Sequence, residues 1–94
     1  MRAKLLLNER HVISAVAFVE MVVWRLPSPL EGSRHGFKYR LALVVKGACV
    51  LRYDNERGKG DHKHIGGKRI LYEFTSFESL LDDFWKEVDK RRSH

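Results

Sequence analysis

The chain has 94 residues, of which 44% are hydrophobic and 11% aromatic, with 18 Lys and Arg against 12 Asp and Glu. A chain of this length has room for a single domain, residues 1–94, and this composition excludes a wholly disordered protein. The net charge of +6 favours a polyanionic partner such as RNA or DNA, or an acidic protein.

No segment approaches the roughly 18 uninterrupted apolar residues that cross a bilayer, so we expect no membrane partner. The N-terminal apolar run, Leu5–Leu7, is too short for a secretory signal, and no small-residue cleavage site follows it. Cys49 is the single cysteine, which fits a reducing compartment because it cannot form an internal disulfide. These observations predict a cytoplasmic protein.

The first half of the chain has the residue pattern of β-strands. Leu5–Leu7 predicts a short strand that ends in a polar turn at residues 8–10. The run from Val12 to Leu26 is rich in valine and aromatic residues at both odd and even positions, which point to opposite faces of a strand. This pattern predicts a strand covered on both faces. Two prolines and a glycine then predict a loop at Pro27–Ser33.

A hairpin follows this loop. Apolar and basic residues alternate at the start of Phe37–Val45, and residues 46–47 turn the chain so that Ala48–Tyr53 runs back beside it. With a regular two-residue turn, Arg40 lies opposite Tyr53, whereas a one-residue bulge changes that pairing.

The second half predicts a glycine-rich loop, a strand and a helix. Glycines punctuate residues 52–67 and mark a loop around His62–Ile65, and Arg69–Phe74 follows as a strand. The helix begins with a capping box from Thr75 to Glu78, and its apolar residues recur at helical spacing. These residues are Phe77, Leu80, Leu81, Phe84, Trp85 and Val88.

The resulting fold class is α+β, an antiparallel sheet of about four to six strands with one C-terminal helix packed on it. The large apolar side chains of Phe18, Trp24, Phe84 and Trp85 are expected in the core. Cys49 lies in the middle of a predicted strand and is expected to be a small buried hydrophobe.

The segment with the most chemistry is Arg52–Gly67, RYDNERGKGDHKHIGG, which combines glycines with carboxylates, histidines and cations. Functional residues concentrate in loops on rigid scaffolds, although a polar glycine-rich loop also serves as a plain surface connection. His35 is expected near this loop if the Phe37 strand begins there, and in solvent otherwise. Three chemical interpretations fit the segment.

The first is metal-independent RNA cleavage, in which a 2′-hydroxyl attacks the adjacent phosphate. His62 or His64 serves as general acid or base, Asp61 orients an imidazole ring, and cations hold the phosphate. The candidate cations are Arg40, Arg52, Lys59 and Lys63.

The second, ranked lower, is a divalent metal that activates water for phosphodiester hydrolysis. Asp-x-Glu and His-x-His spacings place both members on one side of an extended chain. The ligands would be Asp54, Glu56, Asp61, His62 and His64. Because the neighbouring basic residues would repel a cation, we expect no metal and no other cofactor.

The third is binding without catalysis, in which the basic loop holds phosphates and Tyr39 or Tyr53 stacks on a base. Every residue of the first interpretation also serves this one. A nucleic-acid-binding or protein-binding module of this kind would block a cellular process by occupying its target.

Several segments together resemble the TumE-type toxin family, formerly a domain of unknown function. They are AKLLLNER, FVEMVVWRLP, HGFKYRLALV, RYDNERGKGDHKH and FESLLDDFW. The resemblance covers nearly the whole chain, and its most specific part is the string RYDN…GKGDH.H. It implies the toxin of a type II toxin–antitoxin system with ribonuclease activity, inhibited by a protein antitoxin encoded alongside it.

The candidate site residues are chosen on chemistry, mainly from the positions of this string. The candidate catalytic residues are Asp54, Lys59, Asp61, His62 and His64, and the candidate RNA-binding residues are Arg40, Arg52, Tyr53, Asn55, Arg57 and Lys63. An exposed edge strand would also offer a pairing surface to an antitoxin segment, or to a second copy in a homodimer.

Overall fold

Six strands, each antiparallel to the next, form one sheet in chain order in the computed structural model, which describes residues 2–92. The elements are β1 (Lys4–Ser14), β2 (Ala17–Arg25), β3 (Phe37–Val45), β4 (Ala48–Glu56), β5 (Gly60–Ile65), β6 (Lys68–Leu71) and helix α1 (Phe77–Arg92). The predicted α+β class is confirmed. Between residues 2 and 92, no helix has the length and apolarity to cross a bilayer.

Helix α1 covers one face of the sheet and forms the core with it. Its Leu80, Phe84 and Val88 are fully buried because they recur at helical spacing on one side of the helix. The buried strand residues alternate along each strand, as expected when one face is covered. They are Val19, Met21, Val23, Tyr39, Leu41, Leu43, Leu51 and Tyr53.

The start of helix α1 differs by one residue from the predicted capping box. The Ser76 Oγ accepts a hydrogen bond from the Ser79 N–H at 3.0 Å. Ser76 is therefore the N-cap, and the assignment of the cap to Thr75 was wrong. Glu78 lies in the first turn, where its carboxylate interacts favourably with the helix dipole.

The N-terminal segment forms one long hairpin of β1 and β2. The sequence had predicted a short strand, a polar turn and a strand covered on both faces. β1 continues through residues 8–10, and the chain turns at Ala15 and Val16. The Ser14 Oγ accepts a hydrogen bond from the Val16 N–H at 3.2 Å. The predicted boundaries were wrong because the charged residues of an edge strand resemble a turn, whereas the real turn is apolar.

Most of the segment 52–67 forms the β4–β5 hairpin and is not a loop. β4 continues to Glu56, β5 begins at Gly60, and residues 57–59 form the turn. Gly58 and Gly60 have φ angles of 78° and 72°, a region that glycine adopts most readily. β6 ends at Leu71, so the strand predicted to reach Phe74 is shorter than expected.

A bulge sets the register of the β3–β4 hairpin. The strands pair regularly beside the turn, but Val50 is an extra residue on β4. Arg40 therefore lies opposite Asp54 and not opposite Tyr53, which is the pairing of a regular two-residue hairpin.

Two predictions of burial were wrong. Trp24 lies on the face that helix α1 does not cover and is 37% exposed, and Cys49 is exposed beside the β3–β4 turn. Phe84 is buried as predicted, whereas Phe18 and Trp85 are half-buried.

Candidate active site

The face of the sheet that helix α1 leaves uncovered, here called the open face, carries a group of imidazole and charged side chains. Even-numbered residues of β5, and of β4 after the bulge at Val50, point to this face, because odd-numbered neighbours such as Leu51 and Tyr53 lie in the core. Cross-strand pairing aligns them in two rows, Arg40–Asp54–His62 and Arg52–His64–Arg69. We call these residues the open-face cluster.

Asp54 is at the centre of this cluster and is 8% exposed. Its Oδ2 lies 3.1 Å from Arg52 Nε, and its Oδ1 lies 3.7 Å from His64 Nε2. Arg52 Nη2 lies 3.2 Å from the same His64 nitrogen, so the three side chains form a closed triangle. Within residues 2–92, the Arg52 Nε–H has no hydrogen-bond partner, because its ion pair with Asp54 does not align the N–H with the carboxylate.

The surroundings of His64 favour its neutral form. Desolvation lowers the pKa of His64, the positive charge of Arg52 lowers it further, and Asp54 acts in the opposite direction. Because the Arg52 guanidinium only donates, His64 Nε2 accepts and the proton of the neutral ring is on Nδ1. A neutral imidazole near pH 7 is the state that a general base requires.

His62 is the second imidazole of the open-face cluster, and Arg69 covers it. Arg69 Nη2 lies 3.1 Å from His62 Nε2 and 3.3 Å from Nδ1, and His62 is 8% exposed. Arg69 was not predicted as a site residue from the sequence. Alternation along β6 would place it on this face, but only if the register that pairs it with His64 is already known.

The open-face cluster has an excess of positive charge. Arg40, Arg52 and Arg69 are its cations, and Asp54 is its carboxylate. Arg40 and Arg69 are exposed, so their planar guanidinium groups are accessible to a phosphate.

A second polar cluster, here called the Asp61 cluster, lies on the helix-covered side. Asp61 Oδ2 accepts hydrogen bonds from the Tyr39 hydroxyl at 2.6 Å and from His35 Nε2 at 2.7 Å. Asp61 Oδ1 accepts a third from the Ser33 hydroxyl at 3.2 Å. His35 Nδ1 accepts a hydrogen bond from the Phe37 N–H at 3.1 Å, which leaves the ring proton on Nε2. Both nitrogens of this imidazole are therefore occupied within the protein.

Asp61 thus orients an imidazole, but that imidazole belongs to His35 and not to His62 or His64. Burial, followed by the hydrogen bond to Asp61, raises the pKa of Tyr39 far above its ordinary value. His35 also stacks on Phe74 with 3.8 Å between ring centroids. The Asp61 cluster ties the β2–β3 connection to the sheet, and the structure does not bring Asp61 to the open face.

Asn55 is fully buried and hydrogen-bonds like a piece of backbone. Its Oδ1 accepts from the Tyr39 N–H at 3.0 Å, and its Nδ2 donates to the Phe37 carbonyl at 2.6 Å. The amide extends the pairing of β3 with β4 and is not accessible to RNA.

The remaining candidate residues also lie away from the open-face cluster. Tyr53 is buried in the core and therefore cannot stack on a base. The same burial raises its pKa to about 12. Lys63 faces the helix-covered side, in a groove beside the acidic residues of α1. At the β4–β5 turn, Lys59 and Arg57 are exposed and pair with Glu56 at 3.3 Å and Glu31 at 3.7 Å.

The candidate metal ligands do not converge. Asp61 lies on the helix-covered side, and Glu56 pairs with Lys59 at the β4–β5 turn. In the part of the chain that the structure describes, no three His, Cys, Asp or Glu side chains are grouped as metal ligands.

The fold and the open-face cluster define a small basic α+β protein with histidines, arginines and a carboxylate gathered on an uncovered sheet. The sequence model of a family described as Toxin TumE matches residues 2–92, and the chain therefore belongs to the TumE toxin family. Membership implies a toxin of a toxin–antitoxin system with a cognate antitoxin as its partner. No curated protein and no solved structure gave a significant match.

Proposed function

We propose that this protein is a ribonuclease toxin of a type II system, and that it cleaves RNA on the open face without a metal ion. The observation that supports this most directly is the placement of His62 and His64 beside Asp54 on a positively charged, uncovered sheet. These groups offer a general base, a general acid and cations for the phosphate, which are what transfer of a phosphoryl group to a 2′-hydroxyl requires.

In the proposed reaction, Arg52 Nη2 moves from His64 Nε2 to the phosphate, and the freed nitrogen of neutral His64 takes the proton of the ribose 2′-hydroxyl. The 2′-oxygen attacks the adjacent phosphorus atom, the bond from phosphorus to the 5′-oxygen breaks, and His62 donates a proton to the leaving oxygen. The products are a 2′,3′-cyclic phosphate and a 5′-hydroxyl end. Proton exchange with water returns both histidines to their starting states.

The arginines stabilise the charge that develops on the phosphate. Arg40 and Arg52 would contact its non-bridging oxygens, while Asp54 holds Arg52 and His64 in place. Arg69 lies over His62 in the free protein. If its guanidinium moves to a phosphate, the His62 ring becomes accessible to the substrate.

Incubation of the purified protein with a defined RNA, with and without EDTA, tests this proposal. We expect fragments with 2′,3′-cyclic phosphate ends under both conditions, and no cleavage at a position that carries a 2′-O-methyl group. Loss of cleavage in EDTA would favour metal-dependent hydrolysis. RNA that is retarded on a gel but stays intact would mean that the open face binds without catalysis.

The open face is also where we expect the antitoxin to act. An antitoxin segment rich in carboxylates would pair with Arg40, Arg52 and Arg69 and keep RNA away from the histidines. Both proteins and their RNA target would meet in the cytoplasm. Weaker binding of the neighbouring gene product to the R40E variant than to wild type would support this arrangement.

A further inference from the structure

An exposed tryptophan lies on the open face at a short distance from the open-face cluster. Trp24 of β2 pairs with Lys38 of β3, and the next pair on the same face joins Val22 to Arg40. Arg40 in turn lies opposite Asp54. Trp24 therefore lies about 12 Å from Asp54, because β2 and β4 are two strand spacings apart and Lys38 and Arg40 are two residues apart on β3.

Trp24 lines a shallow cavity of about 240 Å³ with Val22, Lys38 and Arg40. Lys38 Nζ donates to the Asn55 carbonyl, which leaves the other donors of its ammonium group for a ligand. Tryptophan is highly buried on average, so an exposed ring beside two cations of the neighbouring strand is unusual. Proteins that hold single-stranded nucleic acid combine these elements, an aromatic surface for a base and cations for the backbone.

We infer that Trp24, Lys38 and Arg40 form a nucleobase subsite, in which a base of single-stranded RNA stacks on Trp24 and its phosphate contacts the two cations. The identity of this ligand rests on the proposed function. Arg40 belongs to both the subsite and the open-face cluster, so the bound base is that of a nucleotide near the scissile phosphate. A paired base does not present its face to a side chain, and the subsite therefore selects single-stranded over duplex RNA.

Tryptophan fluorescence gives the first test. The chain contains two tryptophans, so W85F leaves Trp24 as the reporter and W24F leaves Trp85. Titration of W85F with a short 2′-O-methyl oligonucleotide, which resists cleavage, is expected to quench Trp24 emission to saturation. The same titration of W24F, and a titration of W85F with the duplex form, are expected to cause little quenching.

Binding of the same labelled oligonucleotide gives the second test. W24A is expected to raise the Kd about tenfold, and W24F by less, because the stacking of one base on an aromatic ring accounts for a change of this order. Val12→Ala is the matched control, since Val12 is on the open face of β1, is 76% exposed and lies remote from the cluster. An abasic site at the stacked nucleotide should remove the difference between W24A and wild type.

The outcomes separate the subsite from the proposed function. Unchanged Kd in a folded W24A variant, with RNA still cleaved by the wild type, would overturn the subsite and leave the ribonuclease proposal standing. Quenching without any cleavage by the wild type would support the subsite and overturn the ribonuclease proposal. Absence of both would overturn both.

Discussion

The helix-covered face and the open face contain the same types of polar residue in different states of pairing. On the covered face, Asp61 accepts hydrogen bonds from His35 and Tyr39, and both nitrogens of that imidazole are used. On the open face, Asp54 and His64 lie among arginine side chains whose positive charge exceeds the negative charge nearby. The first arrangement holds the fold together, and the second is suited to an anion.

Strand parity produces this difference. The string from Arg52 to His64 contributes to both faces because successive side chains of a strand point in opposite directions. Asp54 and His62 reach the open face, whereas Asn55 and Asp61 reach the covered one. A dense run of polar residues in a sequence therefore includes both the residues of a candidate site and residues of the opposite face that stabilise the fold.

The largest expected effect is on the open face. The H62A/H64A double variant should lower RNA cleavage by roughly 10³-fold or more, because it removes both proposed proton-transfer groups. Cleavage rates on a defined RNA and growth arrest on expression measure this, with circular dichroism as the check on folding. H11A removes an exposed histidine of β1 and should behave as wild type. A folded double variant with full activity would remove these histidines from the mechanism.

Loss of the Asp61 carboxylate should instead act on stability. D61A leaves the donors of His35 and Tyr39 without their acceptor, and should lower the free energy of unfolding by about 3 kcal/mol. Y39F removes a single donor and should cost about 1 kcal/mol. Urea denaturation measures both. If D61A were as stable as wild type but inactive on RNA, the roles assigned to the two faces would be reversed.

A smaller effect is expected at the start of helix α1, which covers one face and does not touch the other. S76A should cost about 1 kcal/mol because it removes the N-cap hydrogen bond. T75A should stay within about 0.5 kcal/mol of wild type. Thermal unfolding separates the two variants, and a larger loss for T75A would restore the capping box at Thr75. Neither change should alter cleavage at temperatures where the protein is folded.

The smallest effects are expected in the titration of His64, followed by NMR of its ring protons. Arg52 lowers its pKa and Asp54 raises it, so R52Q should move the midpoint to higher pH and D54N to lower pH. Because the pKa of His64 is lowered in the folded state, the unfolded chain binds its proton more readily. The stability linked to this group is therefore present above about pH 6.5 and is lost as the pH falls below that value. Shifts of the same sign in both variants would contradict the triangle.

Periodic apolar residues made most of the fold predictable. Leu80, Phe84 and Val88 predicted the covered side of helix α1, and residues 46–47 predicted the turn between β3 and β4. The limits of β1 were not predictable in the same way. On this edge strand only Leu7 and Ile13 pack against the core. They are too far apart to give an apolar period, so the polar residues 8–10 gave the signal of a turn.

The histidines of the open face were among the residues predicted from the sequence. The face to which the other residues of the same segment point could not be predicted. Parity on β4 depends on the bulge at Val50, and one extra residue leaves no signal in composition or spacing. Arg69 was missed because it joins His62 only through the register of β5 with β6. Trp24 was predicted in the core because its hydrophobicity says nothing about which face of the sheet has a helix on it.

The bulge at Val50 also determines where this hairpin tolerates a lost codon. Deletion of Val50 would leave a regular two-residue β3–β4 hairpin with every β3 partner unchanged, because the pairs on either side already exclude it. The loss would be its packing against the core and the hydrogen bond from the Gly66 N–H to the Val50 carbonyl at 3.3 Å. Deletion of a residue between Arg52 and Asn55 has no such buffer and would exchange inward and outward side chains along the rest of the strand. Deletion of Val50 should therefore cost stability but keep activity, whereas a deletion in the second half of β4 should inactivate the protein.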